Sequence, residues 1–231
     1  MVEVFVATYS PEGSFERQVA VKRVLPAFAN DADFIALFRR EAEVGAVLAH
    51  PNLVQVLDFG KHLDSWFLAM ELIEGATLGD LMRSHRDTKT PLPLNAALYV
   101  IAGVAEGLTY LHEKPSIDGK QVGLIHRDLN PPNVLISKNG EIKISDFGVA
   151  RWAASAQMTN AGTVRGKVAC MAPEYLAGGA PSPAGDLFAL GVMWHELMTG
   201  QRLYRGQTDT EIAHAVLKEA IGEPAGAAAF D

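Results

Sequence analysis

The first part of the chain carries β-branched and apolar residues in short runs, a pattern typical of strands. Two such runs, 2–9 and 17–25, flank a turn-forming segment and predict an antiparallel hairpin. Two more runs, 52–60 and 65–73, predict further strands. Between these pairs, apolar residues recur at helical spacing from Asp31 to His50, and Asp31 is a suitable N-cap. The pattern therefore predicts a small antiparallel sheet with one helix.

Farther along the chain the pattern becomes mainly helical. Apolar residues at helical spacing predict helices at 78–86 and 93–113. Short strands return at 133–137 and 141–146, and the Asn-Gly between them predicts a hairpin. The segment 185–200 is apolar on nearly all sides, which indicates a buried helix.

The order of these elements sets the fold class. Strands come first and helices afterwards, which predicts an α+β chain with a small sheet lobe and a larger helical lobe. We place the division between residues 1–73 and 74–231. The segment 145–174 is long, aperiodic and rich in Gly and Thr, so it predicts a functional loop.

Composition and charge exclude several classes of protein. The net charge is −7 and no run of Lys or Arg is present, which argues against a nucleic-acid partner. The single cysteine, Cys170, excludes an intramolecular disulfide and a multi-cysteine zinc site, and it predicts a reducing, cytoplasmic compartment. The start lacks a secretory signal, and the longest charge-free apolar stretch, 91–105, is shorter than the ~20 residues of a spanning helix. We therefore expect no membrane segment in this chain.

Six short motifs occur in one order over most of the chain. Each is weak alone, but their order and spacing are specific. They are VAVK at 19–22, Glu41 on the following helix, HRDLNPPN at 126–133, DFG at 146–148, APE at 172–174, and the Asp and Leu-Gly at 186–191. From Val4 to Leu217 the chain resembles a eukaryotic-type serine/threonine protein kinase domain. Its segments IHRDLNPPNVLIS and GKVACMAPE are similar to those of bacterial members. The resemblance implies the two-lobed protein-kinase-like fold.

The resemblance also assigns chemistry to the motifs. Phosphoryl transfer needs cations on the phosphate oxygens and an oriented nucleophile. Lys22, held by Glu41, would pair with the α- and β-phosphates of ATP. Asp128 would accept or orient the proton of the substrate hydroxyl, and Asn133 and Asp146 would hold Mg2+.

The nucleotide base is expected in an apolar slot between the lobes. By resemblance, Val4 and Ala20 form the roof of this slot and Leu135 forms its floor. Met70 closes the rear of the slot, and the backbone of Glu71 and Ile73 offers hydrogen bonds to the base.

Other residues receive supporting or regulatory roles from the resemblance. His126 would pack under the DFG turn, and Asp186 would brace the catalytic loop through its backbone amides. Arg127 would anchor a phosphate on the activation segment. The residue expected to carry that phosphate is Thr163, with Thr159 as second choice; an unmodified loop threonine is the alternative.

The sequence departs from the family pattern in three places. The glycine-rich loop is expected to precede Met1, and the last helices of the family are expected beyond the end of this chain, so both lobes are predicted to be partial. Asn130 stands where serine/threonine kinases usually have Lys. Lys167 stands where they usually have Thr; it either reaches the space above Asn130 or is a solvated loop cation.

The leading functional hypothesis is Mg2+-dependent transfer of the γ-phosphoryl group of ATP to Ser or Thr hydroxyls of proteins. The alternative is a pseudokinase, either an ATP-binding scaffold or an inactive fragment, which Asn130 and the absent glycine loop favour. A small-molecule kinase of the antibiotic-phosphotransferase kind is disfavoured by the APE-ended segment.

Overall fold

The computed structural model describes most of the chain as a sheet followed by a mainly helical body. The residues it describes are 1–10, 15–88, 92–114, 124–147 and 167–218.

The upper sheet has four antiparallel strands in the order β1-β2-β4-β3. Their bounds are β1 Val2–Tyr9, β2 Arg17–Val24, β3 Val56–His62 and β4 Ser65–Glu71. The hairpin of β1 and β2 confirms the sequence prediction. β1 lies at the edge of the sheet, and its Val4 is paired with Lys22 of β2.

One helix, α1 (Ala32–Ala46), packs on this sheet. The predicted N-cap is confirmed, because the Asp31 carboxylate accepts the backbone N–H of Phe34 at 3.0 Å. Phe38 and Ala42 of α1 form a small core with Val24 and Leu68 of the sheet. This packing directs the buried face of α1, including Glu41, toward β2.

The strand predicted at 52–60 begins later, at Val56, because its first residues pair elsewhere. Leu53 forms a parallel bridge with Ile144. Around it, the N–H of Ile144 donates to Asn52 O at 2.8 Å, and the N–H of Val54 donates to Ile144 O at 2.9 Å. Residues 52–54, which lead into β3 of the upper sheet, are therefore hydrogen-bonded to the mainly helical part of the chain that follows this sheet, the lower body.

The lower body contains a three-stranded sheet and five helices among the described residues. The strands, in the order β5-β6-β7, are β5 Gly75–Thr77, β6 Val134–Ser137 and β7 Ile142–Ile144. The helices are α2 Leu78–Thr88, α3 Leu94–Glu113, α4 Pro173–Leu176, α5 Pro183–Thr199 and α6 Asp209–Lys218. The predicted hairpin of β6 and β7 is confirmed. β5 was not predicted, because three residues are too few to show a period and no hairpin turn such as the Asn-Gly before β7 marks them.

Helices α3 and α5 form the centre of the lower core. By length and composition alone α3 could cross a membrane, a test that a core helix also passes, and α3 packs against α5 and β7. The buried helix predicted at 185–200 is confirmed by α5, which has buried residues along its length. Met193 is fully buried, but Leu187 is 54% exposed, because the described part of the chain leaves that side of α5 open to solvent.

Candidate active site

Lys22 lies between two carboxylates that come from distant parts of the chain. Its Nζ is 2.6 Å from Glu41 Oε1 on α1 and 2.7 Å from Asp146 Oδ1, directly after β7. The alternative helix carboxylate, Glu43, is exposed and lies 3.9 Å from Arg40. The structure therefore selects Glu41 as the partner of Lys22, as the motif spacing predicted.

Electrostatics within this triad are unbalanced, since one cation faces two acids. Burial would lower the pKa of Lys22, but Asp146 and Glu41 outweigh it and hold that pKa above its usual value. Burial would raise the pKa of Asp146, but the neighbouring Lys22 holds it below its usual value. Burial raises the pKa of Glu41, and Lys22 offsets only part of this effect. Negative charge is in excess here.

The carboxylate of Asp128 is surrounded by nitrogen donors. Lys167 Nζ lies 2.6 Å from its Oδ2, and the two side chains are largely buried. Asn133 Nδ2 donates to the same oxygen at 3.2 Å and to the backbone O of Asp128 at 2.8 Å. Asn130 Nδ2 donates to that backbone O at 2.7 Å and to Oδ1 at 3.3 Å. Asn130 thus forms hydrogen bonds within its own loop, whereas Lys167 reaches the Asp128 carboxylate from a part of the chain that is distant in sequence.

Asp186 fixes the backbone that carries Asp128. Its carboxylate is buried at the start of α5 and accepts the backbone N–H groups of His126 at 2.8 Å and Arg127 at 3.0 Å. The ring of His112 lies 2.9 Å from the same carboxylate. Arg127 has a φ of 67°, a left-handed conformation that costs free energy and that these bonds help to hold. The predicted brace is confirmed.

His126 connects this loop to the segment after β7. It is 1% exposed, its ring meets Phe147 edge-on at 5.8 Å, and its Nε2 lies 3.1 Å from Ser145 O. The packing predicted for His126 is confirmed. Asp146, between Ser145 and Phe147, has a φ of 58°, and this left-handed turn accompanies the contact of its carboxylate with Lys22.

The residues predicted around the base lie on or beside strands of the two sheets. Ala20 is paired with Met70, so the two share one face of the sheet. Val4, on the adjacent strand, is 62% exposed. Leu135, on β6, is paired with Lys143 of β7. Glu71 ends β4, and Ile73 follows it without regular structure.

A comparison with known protein families identifies the family of this chain. The family model described as "Protein kinase domain" matches residues 10–225. The chain belongs to this family.

Curated relatives of this kinase domain come from several bacteria. It is 34% identical to the tyrosine-protein kinase MasK of Myxococcus xanthus, over 97% of the chain and 35% of that relative. The serine/threonine-protein kinases PrkC of Bacillus subtilis and PknL of Mycobacterium tuberculosis are 34% and 37% identical over 86% of the chain, which is 29% and 47% of their own lengths. The chain thus spans less than half the length of these relatives.

Cys170 of the kinase domain is a core thiol, as predicted. It is 7% exposed and ends a short helical turn, Val168–Cys170, directly after Lys167. Burial, and to a smaller degree Glu196 and Asp128, raise the pKa of this thiol well above its usual value. The thiolate is the reactive form, so Cys170 stays neutral and inert near neutral pH.

We expect Cys170 to resist alkylation in the folded protein. Iodoacetamide at pH 8 should leave the intact mass unchanged, while the same treatment in urea should add one adduct, since the chain has one cysteine. Rapid labelling under native conditions would contradict the burial of this thiol.

Two partners in the site were missed by sequence reasoning. His112 contacts Asp186, and nothing in its helical surroundings marks it. Lys143 was also missed, although a lysine between Ile142 and Ile144 of a short buried strand was a usable signal. Gly148 of the DFG motif and the candidate phosphosites Thr163 and Thr159 lie outside the described residues.

Proposed function

We propose that this kinase domain transfers the γ-phosphoryl group of ATP to Ser or Thr hydroxyls of protein substrates, with Mg2+. The observation that carries the proposal is the convergence of Glu41 and Asp146 on the Lys22 ammonium, each within 2.7 Å. Three residues separated by up to 124 positions have no reason to form such a triad in a plain core. In a kinase they hold a lysine against the phosphates.

The residues present fit a magnesium ion. Mg2+ prefers oxygen ligands and is usually held by one or two carboxylates together with substrate phosphates. Asp146 offers a carboxylate whose side chain is 43% exposed, and Asn133 offers an amide oxygen. The excess negative charge beside Lys22 also favours a cation. When bound, Mg2+ neutralises charge on the phosphate oxygens.

Asp128 would receive or orient the proton of the acceptor hydroxyl. Its carboxylate borders a cleft that is also lined by Lys167, Met171, Glu174 and Tyr175. We assign the acceptor as Ser or Thr because PrkC and PknL carry those residues in their names, while MasK is named for tyrosine. Phosphoamino-acid analysis of the labelled product therefore decides which residue is the acceptor.

Lys167 would supply the cation that Asn130 cannot. Asn130 is short, neutral and bonded to Asp128. Lys167, in the later part of the segment 145–174, contacts the same carboxylate. We therefore assign Lys167 to the stabilisation of charge on the transferring phosphoryl group.

The test is phosphorylation of a generic protein such as myelin basic protein or casein with labelled ATP and Mg2+, followed by phosphoamino-acid analysis. We expect label on serine or threonine that requires Mg2+ and is lost in Asp128→Asn. Nucleotide binding by Asp128→Asn should persist, because Asp128 acts on the acceptor. Binding of ATP without any transfer would instead identify a pseudokinase, and label on tyrosine would reassign the acceptor.

Phosphorylation of Thr163 is expected to activate the enzyme. A phosphate adds about −1.5 to −2 charge and forms up to three charge-assisted hydrogen bonds, for which Arg127 offers a guanidinium at the catalytic loop. Thr163→Ala should lower the rate by about tenfold or more, since a hydrogen bond to a charged group contributes about 1.5–3 kcal/mol and each ~1.4 kcal/mol is tenfold in rate. Phosphopeptide mapping after autophosphorylation should find Thr163.

Thr159→Ala is the matched control. It should retain the parental rate if Thr163 is the site. A loss confined to Thr159→Ala would transfer the role to the second choice, and full activity in both variants would remove it.

A further inference from the structure

Glu71 is held by three contacts at the end of β4. Its Oε1 accepts Lys143 Nζ at 2.8 Å and the backbone N–H of Gln55 at 2.7 Å. Its own N–H donates to Gln55 O at 2.9 Å. Both the side chain and the backbone of Glu71 are therefore fixed, at the residue where β4 leaves the upper sheet.

Both partners of this carboxylate are anchored in the lower body. Lys143 lies in the middle of β7, and its side chain is only 11% exposed. Gln55 directly follows the segment whose Val54 is hydrogen-bonded to Ile144 of the same strand. Because Lys143 is also paired with Leu135 on β6, the ion pair connects Glu71 to the strand pair that carries the predicted floor of the base slot.

We propose that Lys143 is a positioning residue for the nucleotide base, acting through Glu71; this rests on the proposed function. The N–H of Glu71 is donated to Gln55, so the backbone group that Glu71 offers a base is its carbonyl. A carbonyl accepts, which suits the exocyclic amino group of adenine. Lys143 holds the Glu71 carboxylate, and this carboxylate holds the end of β4. The position of that strand end sets the direction of the Glu71 carbonyl.

The matched control is an exposed lysine–glutamate ion pair next to β5 and β6 of the lower body. Lys138, just after β6, lies 3.1 Å from Glu74, and the two side chains are 73% and 63% exposed. Exposed pairs of this kind contribute little because water and salt screen them. Lys143 and Lys138 therefore differ in burial while sharing charge, length and the kind of partner.

The experiment measures binding and turnover of Lys143→Met. Misplacing one base hydrogen bond should raise the Kd and KM for ATP about threefold to tenfold, with kcat and the KM for the protein substrate nearly unchanged. Lys138→Met should stay within about twofold of the parent. Lys143→Arg, which keeps the charge, should recover most of the affinity. Inosine triphosphate lacks the amino group, so it should bind to parent and Lys143→Met almost equally.

A partly buried carboxylate without its partner can destabilise the fold, so thermal unfolding of each variant is recorded. The double variant Lys143→Met with Glu71→Gln removes that charge and should show the same rise in Kd as Lys143→Met. Equal ATP affinity in parent and Lys143→Met, or an equal loss for inosine triphosphate, would overturn the inference. Absence of ATP binding by the parent would overturn the proposed function instead, which keeps the two failures distinct.

Discussion

Asp146→Asn is expected to abolish Mg2+-dependent binding of ATP and to lower kcat on the order of a thousandfold or more. Asparagine keeps the shape of the side chain and the oxygen that meets Lys22, but it lacks the negative charge that holds a divalent cation. Asp146→Asn therefore tests metal binding while leaving the packing of the side chain unchanged. Calorimetric titration of ATP, with Mg2+ and with chelator, measures the difference directly.

Asp64→Asn is the control for this result, because Asp64 lies in the exposed turn between β3 and β4. It should bind ATP as the parent does. If Asp146→Asn also retained full Mg2+-dependent affinity, Asp146 would not be a metal ligand and the proposed function would lose its metal site.

Lys167→Ala is expected to reduce kcat by about 10²–10³, with a smaller change in the KM for ATP. Removal of one preorganised electrostatic donor near developing charge typically has an effect of this size. The structure gives the reason for expecting it at Lys167, whose ammonium lies 2.6 Å from Asp128 while Asn130 is bonded to its own loop. Steady-state kinetics in both substrates measures the effect.

The exchange Asn130→Lys with Lys167→Thr is the sharper test of the same assignment. It restores the usual family arrangement and should recover much of the rate that Lys167→Ala loses. Lys61→Ala, an exposed lysine on β3, is the control and should be neutral. Near-parental turnover in Lys167→Ala, measured where Asp128→Ala is inactive, would show that the contact of Lys167 with Asp128 has no role in the transfer.

The sequence predicted the elements whose patterns are long and local. The period of 3.6 located α1 and its Asp31 cap, and the alternation before and after the first turn located the β1–β2 hairpin. The family spacing of the motifs predicted Glu41 as the partner of Lys22, because a family resemblance specifies which distant residues meet, whereas a hydrophobic period does not. Glu41 was correct. Asp146 was assigned to Mg2+, and its contact with Lys22 was not predicted.

What the sequence could not predict depends on which surfaces meet in three dimensions. The apolar run at 52–60 reads as one strand, yet its first residues pair with Ile144, a choice set by the lower body. The apolar helix α5 was expected to be buried, but apolar composition does not say which sides its neighbours cover, and Leu187 is 54% exposed. Lys167 carried two interpretations in the sequence, and only a distance to Asp128 distinguishes their geometries.

The bonding of residues 52–54 to β7 has a mechanical consequence for the upper sheet. Leu48 and Val44, at the end of α1, belong to the core of the lower body, and Asn52 and Val54 are bonded to Ile144. The C-terminal turn of α1 is thus fixed to the lower body, whereas Lys22 is carried by β2 of the upper sheet. A tilt of the upper sheet relative to that turn would therefore change the Lys22–Glu41 distance.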